Sequence, residues 1–384
     1  MIPLSVPEIS GNEWKYVKEC LDTGWVSSVG KFVDRFEQEI CRFTGAKHAV
    51  ACVNGTAALH IALILAGVQA EDEVLVPTLT FIAPINTVRY VGAVPVFFDC
   101  DDYYNFDVEK LATFLKKETY RKKGLLFNKT THRRIRAILP VHVFGNALRL
   151  EELMALAAEY DLKVIEDATE SLGTVYSSGK YAGKATGTIG DFGTLSFNGN
   201  KIITTGGGGM ILTNDEELAR KAKYLTTQAK DDALHYIHHE IGFNYRLTNV
   251  QAAIGVAQLE QLPEFLKVKK KNYDLYQEFL KEIPGLQLAP LPDYAENNRW
   301  LYALQIDEKQ YGLNREQLME KLLASGVQVR PIWYLNHWQK PYQQFQTYHI
   351  EKAPALFART LNLPSSVNLC IEDIEKVISI LKVK

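Results

Sequence analysis

Through the first 250 positions, short runs of consecutive apolar residues recur, and helix-length segments separate many of them. Residues 48–52, 73–78, 94–99, 135–142, 163–168, 192–197 and 208–213 each read as a strand bounded by Gly, Pro, Asn or Asp. Their apolarity is continuous rather than alternating, as expected for strands covered on both faces. Residues 57–66 and 150–160 carry helical patterns between such runs. The order predicts an α/β domain with a mainly parallel sheet and right-handed crossovers.

The pattern changes near residue 250. Residues 249–282 form one long amphipathic stretch, which Pro263 is expected to kink or divide. Its lysine cluster, 267–271, reads as a solvated face rather than a polyanion site. Beyond it, strands are expected near 300–306 and 327–333 and helices near 315–324 and 371–381. We therefore expect an N-terminal arm with a large α/β domain over 1–250 and a small α+β domain over 251–384. Near the N-terminus, Ser10 followed by Glu13 predicts a capping box. Gly45 is expected to close a helix begun near Val33.

Composition narrows the function classes. The 384 residues are 47% hydrophobic, enough for a large core, and no repeat or low-complexity linker interrupts them. Forty-three basic residues against forty-five acidic ones leave no global attraction to nucleic acid or anionic lipid, so any phosphate must be met locally. Five scattered cysteines without a CxxC pair argue against a disulfide framework or a zinc site. The N-terminal segment turns polar too early for a signal peptide, and Arg89 interrupts the apolar stretch that begins near Val74. A soluble cytoplasmic protein is the expectation.

The candidate chemistry begins with a charge anomaly. From Phe192 to Thr213, twenty-two residues contain a single charged side chain, Lys201, although the chain is 23% charged overall. At that average about five would be expected. A poorly solvated ammonium has a lowered pKa and can offer a free amine to a carbonyl. Alone, such a lysine is more often a snorkelling residue beside a glycine loop.

Partners for an imine are found just past the strand ends, where doubly wound sheets bind ligands. Asp167, in KVIEDATES, either caps the following helix or serves as counter-ion to a protonated ring nitrogen. Asn54-Gly55-Thr56 opens a helix whose first N–H groups either are simply capped or cradle a phosphate. The Ser196 hydroxyl points to the same phosphate. Phe81 belongs either to the core or flat against an aromatic ring. Gly206 to Gly209 would let backbone approach a bulky group closely.

In this order the residues resemble the fold-type-I pyridoxal-phosphate enzymes. More closely, the chain resembles the DegT/StrS-type sugar aminotransferases, through GWVSSVGKFVDRFE, NGTAALHIAL, DEVLVPTLTFIAP, LPVHVFG, VIEDATESLG, TIGDFGTLSFNGNKIITTGGGGM, GFNYRLTNVQAAIG and RPIWYLNHWQKPY. The resemblance implies a mainly parallel seven-stranded sheet sandwiched by helices, a smaller α+β domain, and pyridoxal 5′-phosphate as cofactor, with its pyridoxamine form during turnover. It implies that Lys201 forms the imine, Asp167 pairs with the ring nitrogen and Phe81 stacks on the ring. Thr56 and Ala57, with Ser196, would hold the phosphate. Asn244 would reach the partner's cofactor phosphate across a homodimer interface. Glu170 and Asn198 stand where many members have glutamine or histidine, and histidine, respectively.

The implied reaction is ping-pong transamination. L-glutamate is the amino donor, and a UDP-linked 4-keto-6-deoxy-N-acetylhexosamine is the first choice of acceptor, aminated at C4. GDP-4-keto-6-deoxymannose is the alternative. Candidate sugar-nucleotide contacts are Trp25, Ser27, Ser28, Lys31, His142, Arg330, Tyr334 and His337, and Arg246 or Arg330 is a candidate for glutamate's carboxylate. A sugar dehydratase of the same family would carry histidine in place of Lys201. A dehydrogenase reading of TTGGGG fails because a dinucleotide loop should follow the first strand and open a helix. A non-catalytic sensor is disfavoured by intact Lys201 and Asp167.

Overall fold

The computed structural model describes residues 1–232 and 234–382. All seven expected strands of the first 250 residues form: β1 His48–Cys52, β2 Glu73–Pro77, β3 Val94–Phe98, β4 Ile135–Ile138, β5 Lys163–Asp167, β6 Phe192–Ser196 and β7 Gly209–Thr213. Later strands are β8 Leu286–Leu288, β9 Tyr302–Ile306, β10 Arg330–Pro331, β11 Thr347–Tyr348 and β12 Thr360–Leu363. The large sheet runs β1-β7-β6-β5-β4-β2-β3-β11, and only β7 lies antiparallel to its neighbours. The sheet thus has eight strands rather than seven. The eighth, β11, is two residues long and pairs Thr347 with Phe97.

Every residue of β2, β3 and β7 is buried, which explains their uninterrupted apolar runs. The helix Gly55–Leu65 carries eight buried residues, Gly55 to Leu63 save Thr56, and its sequence is apolar nearly all round because it lies deep in the core. A second sheet, β8-β9-β12-β10, has its own core, in which Tyr302, Leu304, Leu361 and Leu363 meet Tyr276 and Ile378.

The long helix Asn249–Leu280 is undivided despite Pro263. Proline in a helix interior costs roughly 3 kcal/mol. Around it Leu259, Leu262 and Phe265 are all buried, and each such side chain contributes about 1.5–3 kcal/mol, so burial outweighs the break. Thr248 and Gln251 supply the capping box at its start. The one expected at Ser10 does not form. The first helix, Glu13–Thr23, has Asn12 at its N-cap, whose side chain donates to Glu260 (2.7 Å) instead of capping, while the Ser10 hydroxyl donates to Gln261 (3.1 Å). Glu13 is buried and accepts from Gln258 (2.6 Å) as well as from the Gly11 amide (2.8 Å), so the long helix competes successfully for both residues. Gly45 closes the helix Lys31–Thr44 in the left-handed conformation, φ 77°. The expected strand at 327–333 shrinks to β10, which pairs only with Leu361 and Asn362.

The strands that bear the cofactor candidates meet at one edge of the large sheet. Asp167 closes β5 and Ser196 closes β6, Asn54 and Thr80 follow β1 and β2, and antiparallel β7 starts there with Gly209. Gly209 is tight against the turn into the helix Gly55–Leu65, for a Cβ on it would lie 2.4 Å from the carbonyl of Asn54 and 2.6 Å from the Gly55 nitrogen. Backbone on both sides cannot yield as a flexible side chain would. Gly209→Ala is therefore expected to lower unfolding free energy by about 1–3 kcal/mol in urea titration, whereas unchanged stability would show that this approach is slack.

Candidate active site

At this edge lies a cavity of about 380 Å³ lined by Asn54, Thr56, Phe81, Asp167, Glu170, Ser196 and Lys201 among others. Its charged side chains, among the described residues, are Lys201, Asp167 and Glu170. Lys201 Nζ lies 4.0 Å from Glu170 Oε1 and 4.0 Å from the centre of the Trp300 ring. Burial lowers the lysine's pKa, opposed by the charges of Glu170 and Asp167.

Burial pushes the Glu170 carboxyl up to about 7, with Lys201 and the Phe144 amide acting against it. That amide donates to Glu170 Oε2 at 2.8 Å. Asp167 is also raised by burial, although it accepts the Thr169 N–H at 3.0 Å. Two buried carboxyl groups and one largely buried amine thus share the cavity.

The N-G-T turn contributes Asn54, Gly55 and Thr56 to the lining. Asn54 caps the helix by accepting the Ala57 N–H at 2.8 Å. This corrects the expectation for Ala57, whose amide is occupied and which does not line the cavity. The amides of Gly55 and Thr56 and the hydroxyls of Thr56 and Ser196 have no hydrogen-bond partner among the described residues. A Cβ on Gly55 would stand 3.0 Å from the Ser196 Cβ and 3.3 Å from Thr169 Cγ2, so glycine keeps these groups together. Phe81, 53% exposed, presents its ring to the same space.

Asn198, without a partner in the sequence reading, donates to Asn200 Oδ1 at 3.1 Å, and its carbonyl accepts the Lys201 amide at 3.0 Å. Gly207 and Gly208 line the cavity, as the glycine run suggests. Sequence reasoning missed Trp300 and Trp333, which form one wall, and Thr80 and Thr169. The two tryptophans precede β9 and follow β10, so no spacing relates them to Lys201.

Other candidates lie elsewhere. His142 is fully buried, accepts the Leu148 N–H at Nδ1 (3.2 Å) and therefore donates from Nε2 to Glu166 (2.9 Å). Both ring nitrogens are satisfied internally, which removes it from the sugar contacts. Asn249 binds the carbonyls of Trp25 (2.7 Å) and Ser27 (2.6 Å), Lys31 pairs with Glu19, and Ser28 lies in the same loop. None of these lines the cavity in its own chain. Nor do Arg246, bonded to Asn244 Oδ1 (3.3 Å), exposed Arg330 beside Asn362, or Tyr334 packed on Trp338 and Phe357. His337 lies 2.5 Å from the Thr78 hydroxyl, also outside.

The model of the DegT/DnrJ/EryC1/StrS aminotransferase family matches residues 7–382. The chain belongs to this family. It is 40% identical over 386 aligned residues to the GDP-perosamine synthase of Caulobacter vibrioides, covering 99% of this chain and 97% of that one. It is 35% identical to the GDP-perosamine synthase of Vibrio cholerae, over 100% and 98% of the two chains. Among solved structures, a DegT DnrJ EryC1 StrS aminotransferase from Brucella abortus superposes with a TM-score of 0.85 at 28% identity, covering 97% and 94%. The family together with these relatives makes the chain a pyridoxal-phosphate-dependent sugar aminotransferase.

The cavity fits that cofactor on its own evidence. Unpaired donors at Thr56 and Ser196, the half-exposed Phe81 ring, the buried Asp167 carboxyl and the Lys201 amine all line it. Among the described residues no helix is long and apolar enough to cross a membrane.

Glu170 yields a pH test. Its folded pKa, about 7, exceeds its ordinary 4.5, so the native state binds the extra proton between those values. The stability conferred by the protonated form is complete below pH 4.5 and lost as pH rises through 7. In cofactor-free protein, Glu170→Gln should gain stability relative to wild type between pH 5 and 8, by about 3 kcal/mol at most. A pH-independent difference would contradict the raised pKa.

Proposed function

We propose that the chain transfers an amino group from L-glutamate to C4 of a nucleotide-linked 4-keto-6-deoxy sugar, with GDP-4-keto-6-deoxymannose as acceptor. The observation that carries the acceptor is the near-full-length similarity to two proteins named GDP-perosamine synthase. This reverses the order suggested by the sequence motifs, and the UDP-linked N-acetylhexosamine becomes the second choice.

When bound, pyridoxal phosphate supplies an aldehyde for the amine and an electron-withdrawing ring that stabilises negative charge on the carbon losing its proton. Lys201 binds through its amine at rest. Once displaced, the same amine takes the proton from one carbon and returns it to another, a task that suits an amine whose pKa burial has lowered. Asp167 would hold a proton on the ring nitrogen, Phe81 would cover the ring, and Glu170 lies 4.0 Å from the Lys201 amine. Thr56 and Ser196 hold the phosphate together with the Gly55 amide.

Asn244 is exposed and outside its own chain's cavity. We assign it to the phosphate of a partner subunit in a homodimer with shared sites. In this reading residues 1–250 provide the cofactor site, residues 251–384 add the tryptophan wall, and the enzyme works in the cytoplasm. Trp25, Ser27, Ser28, Lys31, Arg246, Arg330, Tyr334 and His337 would take part only through such an assembly or by movement of their segments.

A panel of GDP-, UDP- and dTDP-linked 4-keto-6-deoxy sugars with glutamate tests the acceptor. We expect kcat/KM for the GDP-mannose derivative to exceed the others by about tenfold or more. Lys201→Ala should abolish turnover and leave the fold intact. A preference for the UDP sugar would overturn the acceptor assignment. Site sharing has its own test: mixed dimers of Lys201→Ala and Asn244→Ala subunits contain one site with both native residues. Activity should reappear on mixing, and continued inactivity of verified mixed dimers would refute sharing.

A further inference from the structure

The proposed reaction requires the amine of Lys201 to be released and then to act repeatedly at the same place. A lysine side chain has four rotatable bonds, so a free amine needs a surface to hold it. Glu170 does not suffice, because its Oε1 is 4.0 Å from Nζ, beyond hydrogen-bond length. Trp300 supplies a second surface, with its ring centre also 4.0 Å from Nζ.

The indole is itself immobilised. Its Nε1–H donates to the carbonyl of Asn200, the residue before Lys201, at 2.7 Å. Its backbone N–H donates to Asn298 Oδ1 (3.0 Å), and its carbonyl accepts from the Ser365 hydroxyl (3.0 Å). Trp333 lies nearly parallel to it, 21° between planes at 6.4 Å, and stacks in turn on Phe144 at 4.9 Å. The Phe144 amide donates to Glu170, so the aromatic wall begins at one neighbour of the amine and ends at the other.

We infer that Trp300 is a positioning residue for Lys201: its face holds the free ammonium beside Glu170, while its N–H pins the loop that carries the lysine. This rests on Lys201 being the reactive amine, as proposed above. The π face favours the charged amine and thus acts with Glu170 and Asp167, the cavity's two carboxylates, against burial.

The test is acetylation of Lys201 by acetic anhydride from pH 6 to 10 in the full-length, cofactor-resolved protein, read by peptide mass spectrometry. Trp300→Leu keeps apolar bulk but removes the π face. Its Lys201 should titrate at lower pH, with labelling below the pKa about fivefold faster than in wild type. Trp300→Phe keeps a weaker π face but loses the N–H to Asn200, so its labelling should rise by about twofold, less than in Trp300→Leu. In the glutamate half-reaction, Trp300→Leu should lose about tenfold in kcat with KM within about twofold, the signature of a misplaced proton carrier.

Should Trp300→Leu fail to fold, fluorinated tryptophans weaken the face at nearly constant size. Of the chain's five tryptophans, only Trp300 lies against a lysine amine among the described residues. Stepwise fluorination should lower the labelling pKa stepwise. A titration unchanged by both leucine and fluorination would overturn the inference. Borohydride reduction of the wild-type holoenzyme separates it from the underlying reading: no cofactor fixed to Lys201 sinks that reading, whereas attachment with indifferent Trp300 variants sinks only the inference.

Discussion

The site depends on keeping three ionisable groups, Lys201, Asp167 and Glu170, at one cavity with little of any of them exposed. Taking any one of them out of water costs several kcal/mol, and the cost is reduced only where opposite charges or donors stand close. With two carboxyl groups and one amine, full ionisation would leave a buried negative charge in excess. The raised pKa of Glu170, about 7, relieves that imbalance by letting a proton reside on the group with fewer donors. Glu166, the neighbour of Asp167 in β5, shows the opposite solution. It is equally buried, yet His142 and the amides of Gly187, Ile189 and Gly190 hold its pKa below the ordinary value despite burial. Adjacent carboxylates of one strand thus point to opposite faces of the sheet, one saturated with donors and one left under-satisfied at the cavity.

This arrangement needs both halves of the chain. The large sheet brings Asp167, Ser196 and the N-G-T turn to a common edge, because all but one of its strands run parallel and β7 enters from that edge. The segments around the second sheet contribute Trp300 and Trp333. The two are tied by polar contacts at the lysine loop, where the Asn200 carbonyl accepts from both Trp300 and the Ser5 hydroxyl (3.2 Å). The N-terminal segment is in turn fixed by Ser365, whose amide donates to the Leu4 carbonyl at 2.8 Å. The position of Lys201 is therefore over-determined from three distant parts of the chain.

Much of this was legible in the residue order, for physical reasons that also mark its limits. The strands were readable because burial on both faces leaves continuous apolar runs, and Lys201 because a charge-poor stretch makes one ammonium conspicuous. Asp167 and Ser196 followed from the rule that parallel strands present their carboxyl ends to ligands. Ala57 is not legible in this way, because a free N-terminal amide and one capped by Asn54 have the same sequence. His142 sits past a strand end like the others, but its strand end faces Glu166 and the Leu148 amide. Trp300 and Trp333 were invisible because their relation to Lys201 exists only after the chain folds. The two-residue strand β11 leaves no periodicity to read, and the eighth place in the sheet is decided by pairing with β3 alone.

The aromatic wall explains one backbone oddity as well. Phe144 adopts φ 57°, a left-handed conformation that costs a non-glycine residue roughly 1–2 kcal/mol. Glycine would remove the strain but also the ring, which stacks on Trp333 and meets Tyr104 edge-on at 5.4 Å. The left-handed turn points the Phe144 amide at Glu170 while its ring faces Trp333, so one residue serves both the carboxylate and the wall. An aromatic pair contributes about 0.5–1.5 kcal/mol beyond area burial, and a hydrogen bond to a charged group about 1.5–3 kcal/mol, enough together to hold the turn. Phe144 thus links the two neighbours of the lysine amine, Glu170 directly through its amide and Trp300 through Trp333.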